Sequence, residues 1–448
     1  MDRLSLRLKS EVDQILKEGG FQAAVSIQGS VARDTWLHDE GDLDIFASFP
    51  AELDRGQWIE RVFPALRRGL KHHPVTERYA EHPFLEFSSN GITVNVVPCY
   101  AVEKGKWKSA TDRTPFHTEY MRQHLTDDLK GQARLLKKFM KGIGVYGAEI
   151  RVGGFSGMLV ETLILNYGSF TRTLEETGKW KNQTSLEVES SGRGQTELSR
   201  KFDAPLVVVD PVDPNRNLAA AVREERLWEF VAVGRQFLAR PALSYFYPSQ
   251  ATPKTRAQLL KQLKHGHDSI VVLFPHPHLV LDILWGQLFS LERSLVGLAR
   301  RHEFRVLHST VWSDENRSSA VLLAVENAIL PFSQLHPGPP VSRREESEAF
   351  LTRHLDATET VSGPWISGDR WMVEKKRVYP NLAKLVIAST KDRKLGLGVP
   401  AQLEHGFREK LRVLENEESL SLYSKPGFVQ ALWRFLDGKP SWLKASHA

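Results

Sequence analysis

The stretch GSVARDTWLHDEGDLDIF, residues 29–46, restricts the folds open to this chain more than any other. It follows the apolar run FQAAVSIQ, which reads as a strand, so Gly29-Ser30 is a turn from a strand into a probable helix. A helix start presents backbone N–H groups without partners, and such a start binds phosphate well. Twelve residues past Ser30 comes Asp42, and then Asp44. Positions i and i+2 of a strand face one side, so both carboxylates project together. Two like charges that close are costly unless a cation lies between them, and oxygen-only ligands suit Mg2+. A plain turn, or two solvated aspartates on an edge strand, would account for either half alone. In this order and spacing the halves read as a phosphate cradle beside a Mg2+ site, the equipment of nucleotidyl transfer by a two-metal mechanism.

The rest of the chain gives this site a setting. At 448 residues, two to four domains are expected. Residues 1–130 read as helix, strand, helix and strands, closing on the hairpin FLEFSSNGITVNVV with Asn90-Gly91 at its tip. Residues 131–250 are mostly helical, and FYPSQATPKTR reads as a linker. Residues 251–335 give a β-α-β-β unit whose helix carries Leu281, Leu284, Leu288, Leu291, Leu295 and Leu298 as one apolar stripe. That order suggests a ferredoxin-like sandwich of the kind RNA-binding modules use. HPGPPVS marks a further break, and 336–448 form a mixed, largely helical tail. The fold class is α+β and multidomain.

Bulk properties narrow the partners. A net charge of +6 favours an anionic partner such as nucleic acid. The single cysteine, Cys99, excludes a disulfide framework and points to a reducing compartment such as the cytoplasm. The N-terminus is an amphipathic helix without the apolar segment of a signal peptide, and no stretch approaches the ~20 apolar residues of a membrane span. The pairs HGH (265–267) and HPH (276–278) lack cysteines and helical spacing, so solvated loops or phosphate contacts are expected rather than zinc.

GSVARDTWL, GDLDIF, VVPCY, DRTPFH, YGAE, GFSG and DPVDPNRN follow one another here in the order seen in archaeal-type (class I) CCA-adding enzymes. HPGPP and DRWMVEKKR extend the likeness almost to the C-terminus. The chain thus resembles tRNA nucleotidyltransferases of the DNA polymerase β superfamily. That resemblance implies a polymerase β-like palm (1–130), a helical neck (131–250), an RRM-like body (251–335) and a tail (336–448). It also implies template-independent addition of C, C and A to tRNA 3′ ends from CTP and ATP with Mg2+, by a homodimer. Carried over by motif, Ser30 and Arg33 would bind the triphosphate, as would Lys137 and Tyr146. His82, Thr114 and His117 would line the nucleotide pocket, and Arg216 would take part in choosing C or A. Asp42 and Asp44 would hold the metal. Lys137 also belongs to a basic stripe with Arg134, Lys138 and Lys141 at i, i+3, i+4 and i+7; such a stripe is usually the solvated face of a helix, and that is expected for most of the four. EKKRVYP and STKDRKLG in the tail offer phosphate contacts or ordinary charged surface.

The resemblance implies a third acid, a metal ligand and proton acceptor, where this chain has Asn95. An amide oxygen can ligate Mg2+ but cannot act as a base. With a two-residue Asn90-Gly91 turn, Ser89 pairs with Ile92 and Glu86 falls directly opposite Asn95, on the same sheet face. Glu86 is therefore expected as the third carboxylate, with Asn95 as neutral ligand or hydrogen-bond partner. The alternatives are a solvated Glu86, an asparagine introduced to trap a substrate complex, a catalytically silent tRNA- or RNA-binding homologue, and a terminal RNA-tailing enzyme.

Overall fold

Alternation of buried and half-exposed positions builds the first sheet. The computed structural model describes residues 1–38, 41–79, 83–188, 200–248 and 254–444. Its strands are β1 (Ala24–Gln28), β2 (Leu43–Pro50), β3 (Thr76–Tyr79), β4 (Pro83–Ser89) and β5 (Ile92–Ala101), in the order β1-β2-β5-β4-β3. Within this sheet β2 and β5 run parallel, and the other neighbouring pairs among the described residues are antiparallel. Leu43, Ile45, Ala47, Leu85, Phe87, Val94 and Val96 point to the core. There they meet Leu8, Val12 and Leu16, one face of the helix Asp2–Glu18. The other sheet face mixes apolar side chains such as Phe46 and Val97 with polar ones, among them Asp44, Asn95 and Glu86. At the hairpin tip Asn90 and Gly91 have φ of 53° and 76°, the left-handed pair a tight two-residue turn needs. Ser89 consequently pairs with Ile92, and Glu86 with Asn95.

This sheet belongs to one of two compact units, Met1–Gln250 with Pro440–Ala448; the second is Ala251–Lys439. In the first unit, the helices Asp127–Gly142, Gly157–Tyr167, Phe170–Thr177 and Glu224–Ala239 surround a separate core. Phe139 is its centre, within 5.2–5.5 Å of the rings of Phe170, Phe237 and Phe246. A short parallel pair, β6 (Thr184–Leu186) and β7 (Leu206–Val208), leads into the DPVDPNRN loop.

The second unit carries β8 (Asp268–Pro275), β9 (Val306–Ser313), β10 (Ser318–Val325), β11 (Ser333–Pro340), β12 (Thr360–Ser367), β13 (Arg370–Lys376) and β14 (Arg412–Glu415). The helix Leu281–Arg301 links β8 to β9 and buries Leu284, Leu288, Leu291, Leu295 and Leu298; Leu281 stays exposed at its first turn. The order β14-β8-β10-β9, antiparallel throughout, is the fourth-first-third-second arrangement of a ferredoxin-like sheet. Its last strand comes from residue 412 onward, and Leu382, Leu385, Leu403 and Phe407 fill the same core as the leucine stripe. The HPGPP break lies inside β11, an outer strand of the second sheet, β11-β13-β12. His276 of the HPH pair is not solvated: it is 6% exposed and its Nδ1 lies 2.7 Å from the Pro277 carbonyl. No helix among the described residues is long and apolar enough to cross a membrane.

Candidate active site

Strand register assembles a row of polar side chains across four neighbouring strands. Gln28 pairs with Asp44, Asp44 with Asn95, and Asn95 with Glu86. The residues flanking these positions, Leu43, Ile45, Val94, Val96, Leu85 and Phe87, are buried on the opposite face. Asn95 Nδ2 donates to Asp44 Oδ1 at 3.0 Å. Asp42 precedes β2 by one residue and is exposed. Burial pushes the Asp44 carboxyl up to about 6; the Asn95 amide opposes this, the Asp42 charge adds to it and Arg33 opposes it. Glu86 reaches toward the outer strand β3, where Arg78 donates from Nε and Nη2 to its Oε1 at 3.0 and 2.9 Å.

The turn before β2 lies against these acids. Gly29 has φ of +69°, and a Cβ there would fall 2.2 Å from Asp44 Oδ2. Only glycine permits both the left-handed backbone and that approach. Ser30 sits within a single helical turn, Gly29–Ala32, whose backbone then delivers Arg33. Four residues are too few for a strong helix dipole, so directed N–H groups, not a macrodipole, are what this turn offers an anion.

Behind the turn lies a buried charge cluster. Arg33 Nε is 2.7 Å from Glu161 Oε2, and Thr35 donates its hydroxyl to Glu161 Oε1. Lys137 Nζ donates to the Thr35 carbonyl at 2.7 Å. Lys137 is 3% exposed, and burial pulls its ammonium down to about 8, with Glu161 opposing. Tyr146 packs its ring 5.9 Å from Lys137 Nζ and 5.2 Å from Lys141 Nζ. Burial pushes its phenol above the ordinary range. Of the basic stripe Lys137 is buried, while Arg134, Lys138 and Lys141 are half-exposed; Arg134 donates to the Asp34 carbonyl, and Lys138 lies 4.8 Å over the Tyr247 ring.

A second cluster forms around the DPVDPNRN loop. His117 Nε2 is 2.8 Å from Asp210 Oδ2, and Arg216 Nη1 donates to the same oxygen at 3.0 Å. Burial pushes the Asp210 carboxyl up, but His117, the Val212 N–H and Arg216 outweigh it and hold the group below the usual range. Thr114 opens the helix Thr114–His124 and is half-buried. His82 lies outside the described residues.

Comparison with known proteins gives the family. Residues 7–117 match the nucleotidyltransferase domain, residues 131–247 the second domain of tRNA nucleotidyltransferases, and residues 265–416 the C-terminal domain of CCA-adding enzymes. The chain is similar to the CCA-adding enzyme of Pyrobaculum neutrophilum, 39% identical over 393 residues that span 86% of this chain and 89% of that protein. The corresponding protein of Haloarcula marismortui is 34% identical over 459 residues, 98% of this chain and 95% of its own. This chain belongs to the CCA-adding enzyme family. As a nucleotidyltransferase of that family it depends on a divalent cation, and a tailing enzyme with another acceptor is not favoured.

Glu161, Asp210 and Arg113, whose Nε donates to Asp213 Oδ2 at 2.8 Å, are not among the site residues expected from the sequence. Glu161 carries a readable signal, a lone acid inside the apolar run GMLVETLIL, because a buried acid has to be paired. Asp210 and Arg113 belong to motifs the sequence displays, but their partners lie 93 and 100 residues away, a distance no local pattern spans.

Proposed function

We propose that this chain rebuilds the 3′ CCA of tRNA, using CTP and ATP and no template. The terminal 3′ hydroxyl of the tRNA attacks the α-phosphate of the incoming nucleotide, the phosphoanhydride bond breaks and pyrophosphate leaves. The observation that carries this reading is the Asp44–Asn95–Glu86 row beside the Gly29-Ser30 turn.

Asp42 and Asp44 fit a divalent cation. Two acids share the site, and burial, with the Asp42 charge adding to it, pushes the Asp44 carboxyl up to about 6, a cost that a bound cation would relieve. We assign Mg2+ to them, with the Asn95 amide as neutral ligand or hydrogen-bond partner; turned by half a rotation, that amide offers its oxygen. When bound, the ion supplies charge neutralisation at the phosphate and a more acidic attacking hydroxyl. Ser30, Arg33, Lys137 and Tyr146 would bind the triphosphate, Thr114, His117 and His82 would line the nucleotide pocket, and Arg216 would meet the base.

Glu86 is our third carboxylate and proton acceptor. It sits one strand from Asn95 and two from Asp44, so the Cα atoms of the two acids lie roughly 10 Å apart. A glutamate is long enough to lean across Asn95, and the ion pair that now turns it outward is solvated on both sides. Such a pair holds by about 0–1 kcal/mol, so releasing it costs little. Homodimeric assembly and a cytoplasmic location belong to the same proposal; sedimentation of the purified protein would check the dimer, and cell fractionation the location. The deciding assay supplies CTP, ATP, Mg2+ and a tRNA transcript lacking CCA, and sequences the ends. Completed CCA is expected; unextended ends that Asn95→Asp restores would mean a silenced site, and long homopolymers would mean a tailing enzyme.

A further inference from the structure

A guanidinium and an imidazole on one helical face grip the loop that carries Arg216. Arg113 ends the turn Ala110–Arg113 and continues into the helix Thr114–His124 with φ −73° and ψ −23°. Arg113 and His117 are therefore four residues apart on one face. His117 meets Asp210 Oδ2, and Arg113 Nε meets Asp213 Oδ2 at 2.8 Å. His117 Nε2 also lies 3.0 Å from Asp210 Oδ1, and each aspartate accepts in addition from the backbone of its own loop. Asp210 Oδ1 accepts from the Val212 and Asp213 N–H groups at 2.9 and 3.4 Å, and Asp213 Oδ1 accepts from the Asn215 N–H at 3.1 Å. The carboxylates that shape the loop are thus the ones that tie it to the helix. Arg216 leaves the end of that loop, with its own N–H on the Asp213 carbonyl at 2.9 Å.

Arg113 is suited to this work in a way a lysine would not be. Its guanidinium carbon lies 5.5 Å from the centre of the Trp107 ring while Nε holds Asp213. Trp107 is in turn fixed edge-on by Phe116 at 5.2 Å. A planar fork can stack and donate at once, whereas an ammonium is a point charge. Arg113, Trp107, Phe202, Asn215 and Arg216 line one cleft of about 1020 Å³, which has room for a nucleobase and the groups that read it.

We propose that Arg113 is a positioning residue for base choice: through Asp213 it fixes the 210–216 loop, and so sets where the Arg216 guanidinium meets the incoming base. This rests on the reading of the chain as a CCA-adding enzyme. The test uses Arg113→Ala, Arg113→Lys, Asp213→Asn and the Arg113→Ala/Asp213→Asn double variant of the full chain. Amide hydrogen exchange over residues 209–218 reads the loop without any catalysis, and the CTP-to-UTP ratio of kcat/KM reads selectivity. Arg113→Ala is expected to speed exchange in the loop and to lower that ratio about 10- to 100-fold, the scale of a misplaced binding group. Arg113→Lys should not restore the ratio, and the double variant should be no worse than Asp213→Asn. Unchanged exchange would overturn the proposal, and so would equal losses for CTP and UTP. Should Arg113→Ala fail to fold, Arg113→Lys and Asp213→Asn carry the same expectations. If the unsubstituted chain extends no tRNA, the proposed function itself fails. Selectivity is then read as the ratio of CTP and UTP dissociation constants, and unchanged exchange or equal losses of affinity would again overturn the role of Arg113.

Discussion

Lys137 shows how burial converts a common residue into a pH-dependent one. Its ammonium is held at about 8 because it is removed from water, and Glu161 only partly offsets that. A triphosphate favours the charged form, so protonated Lys137 is the binding form. CTP affinity is therefore expected to weaken as pH rises through about 8, by up to about ten-fold per unit until the lysine's contribution is lost. Lys137→Met should be weaker at low pH and flat across that range, as measured by equilibrium binding. The i, i+3, i+4 spacing makes this lysine visible, but as part of a face that is usually solvated. Nothing local tells Lys137 from Lys138; the choice is made by the Thr35 carbonyl, 102 residues earlier.

At the scale of elements, the turn and the hairpin tip make a controlled comparison. Gly29 and Gly91 both have positive φ, but a Cβ at Gly91 meets nothing within 4 Å, whereas at Gly29 it strikes Asp44. Gly91→Ala and Gly29→Ala should each lose about 1–3 kcal/mol from backbone strain alone. Only Gly29→Ala should also remove nucleotide incorporation beyond what its thermal unfolding explains. The hairpin is fully legible in the sequence because Asn-Gly fixes its own turn type, and turn type fixes register. The leucine stripe is legible for the same reason: a 3.6-residue period is a local property. The closure of the ferredoxin-like sheet is not, since β14 pairs with β8 from about 140 residues away, and four residues of Arg-Val-Leu-Glu carry no signal of their own.

At the scale of the whole molecule, a chain of net charge +6 that handles tRNA should depend on counterion release. Its tRNA affinity is expected to drop roughly 100-fold between about 50 and about 200 mM salt, as filter binding would show, with CTP-over-UTP selectivity unchanged because phosphate contacts do not read bases. Whether the molecule turns over depends on one row of a sheet, where an amide stands in place of an acid and a glutamate lies opposite it. The most direct measurement is the rate of C addition to CCA-less tRNA by the chain itself, by Glu86→Gln and by Glu86→Gln with Asn95→Asp. A working enzyme is expected, with a loss of about 100-fold or more in Glu86→Gln and recovery when Asn95→Asp returns a carboxylate to the neighbouring strand. A Glu86→Gln variant that adds nucleotides at the unsubstituted rate would remove Glu86 from the chemistry.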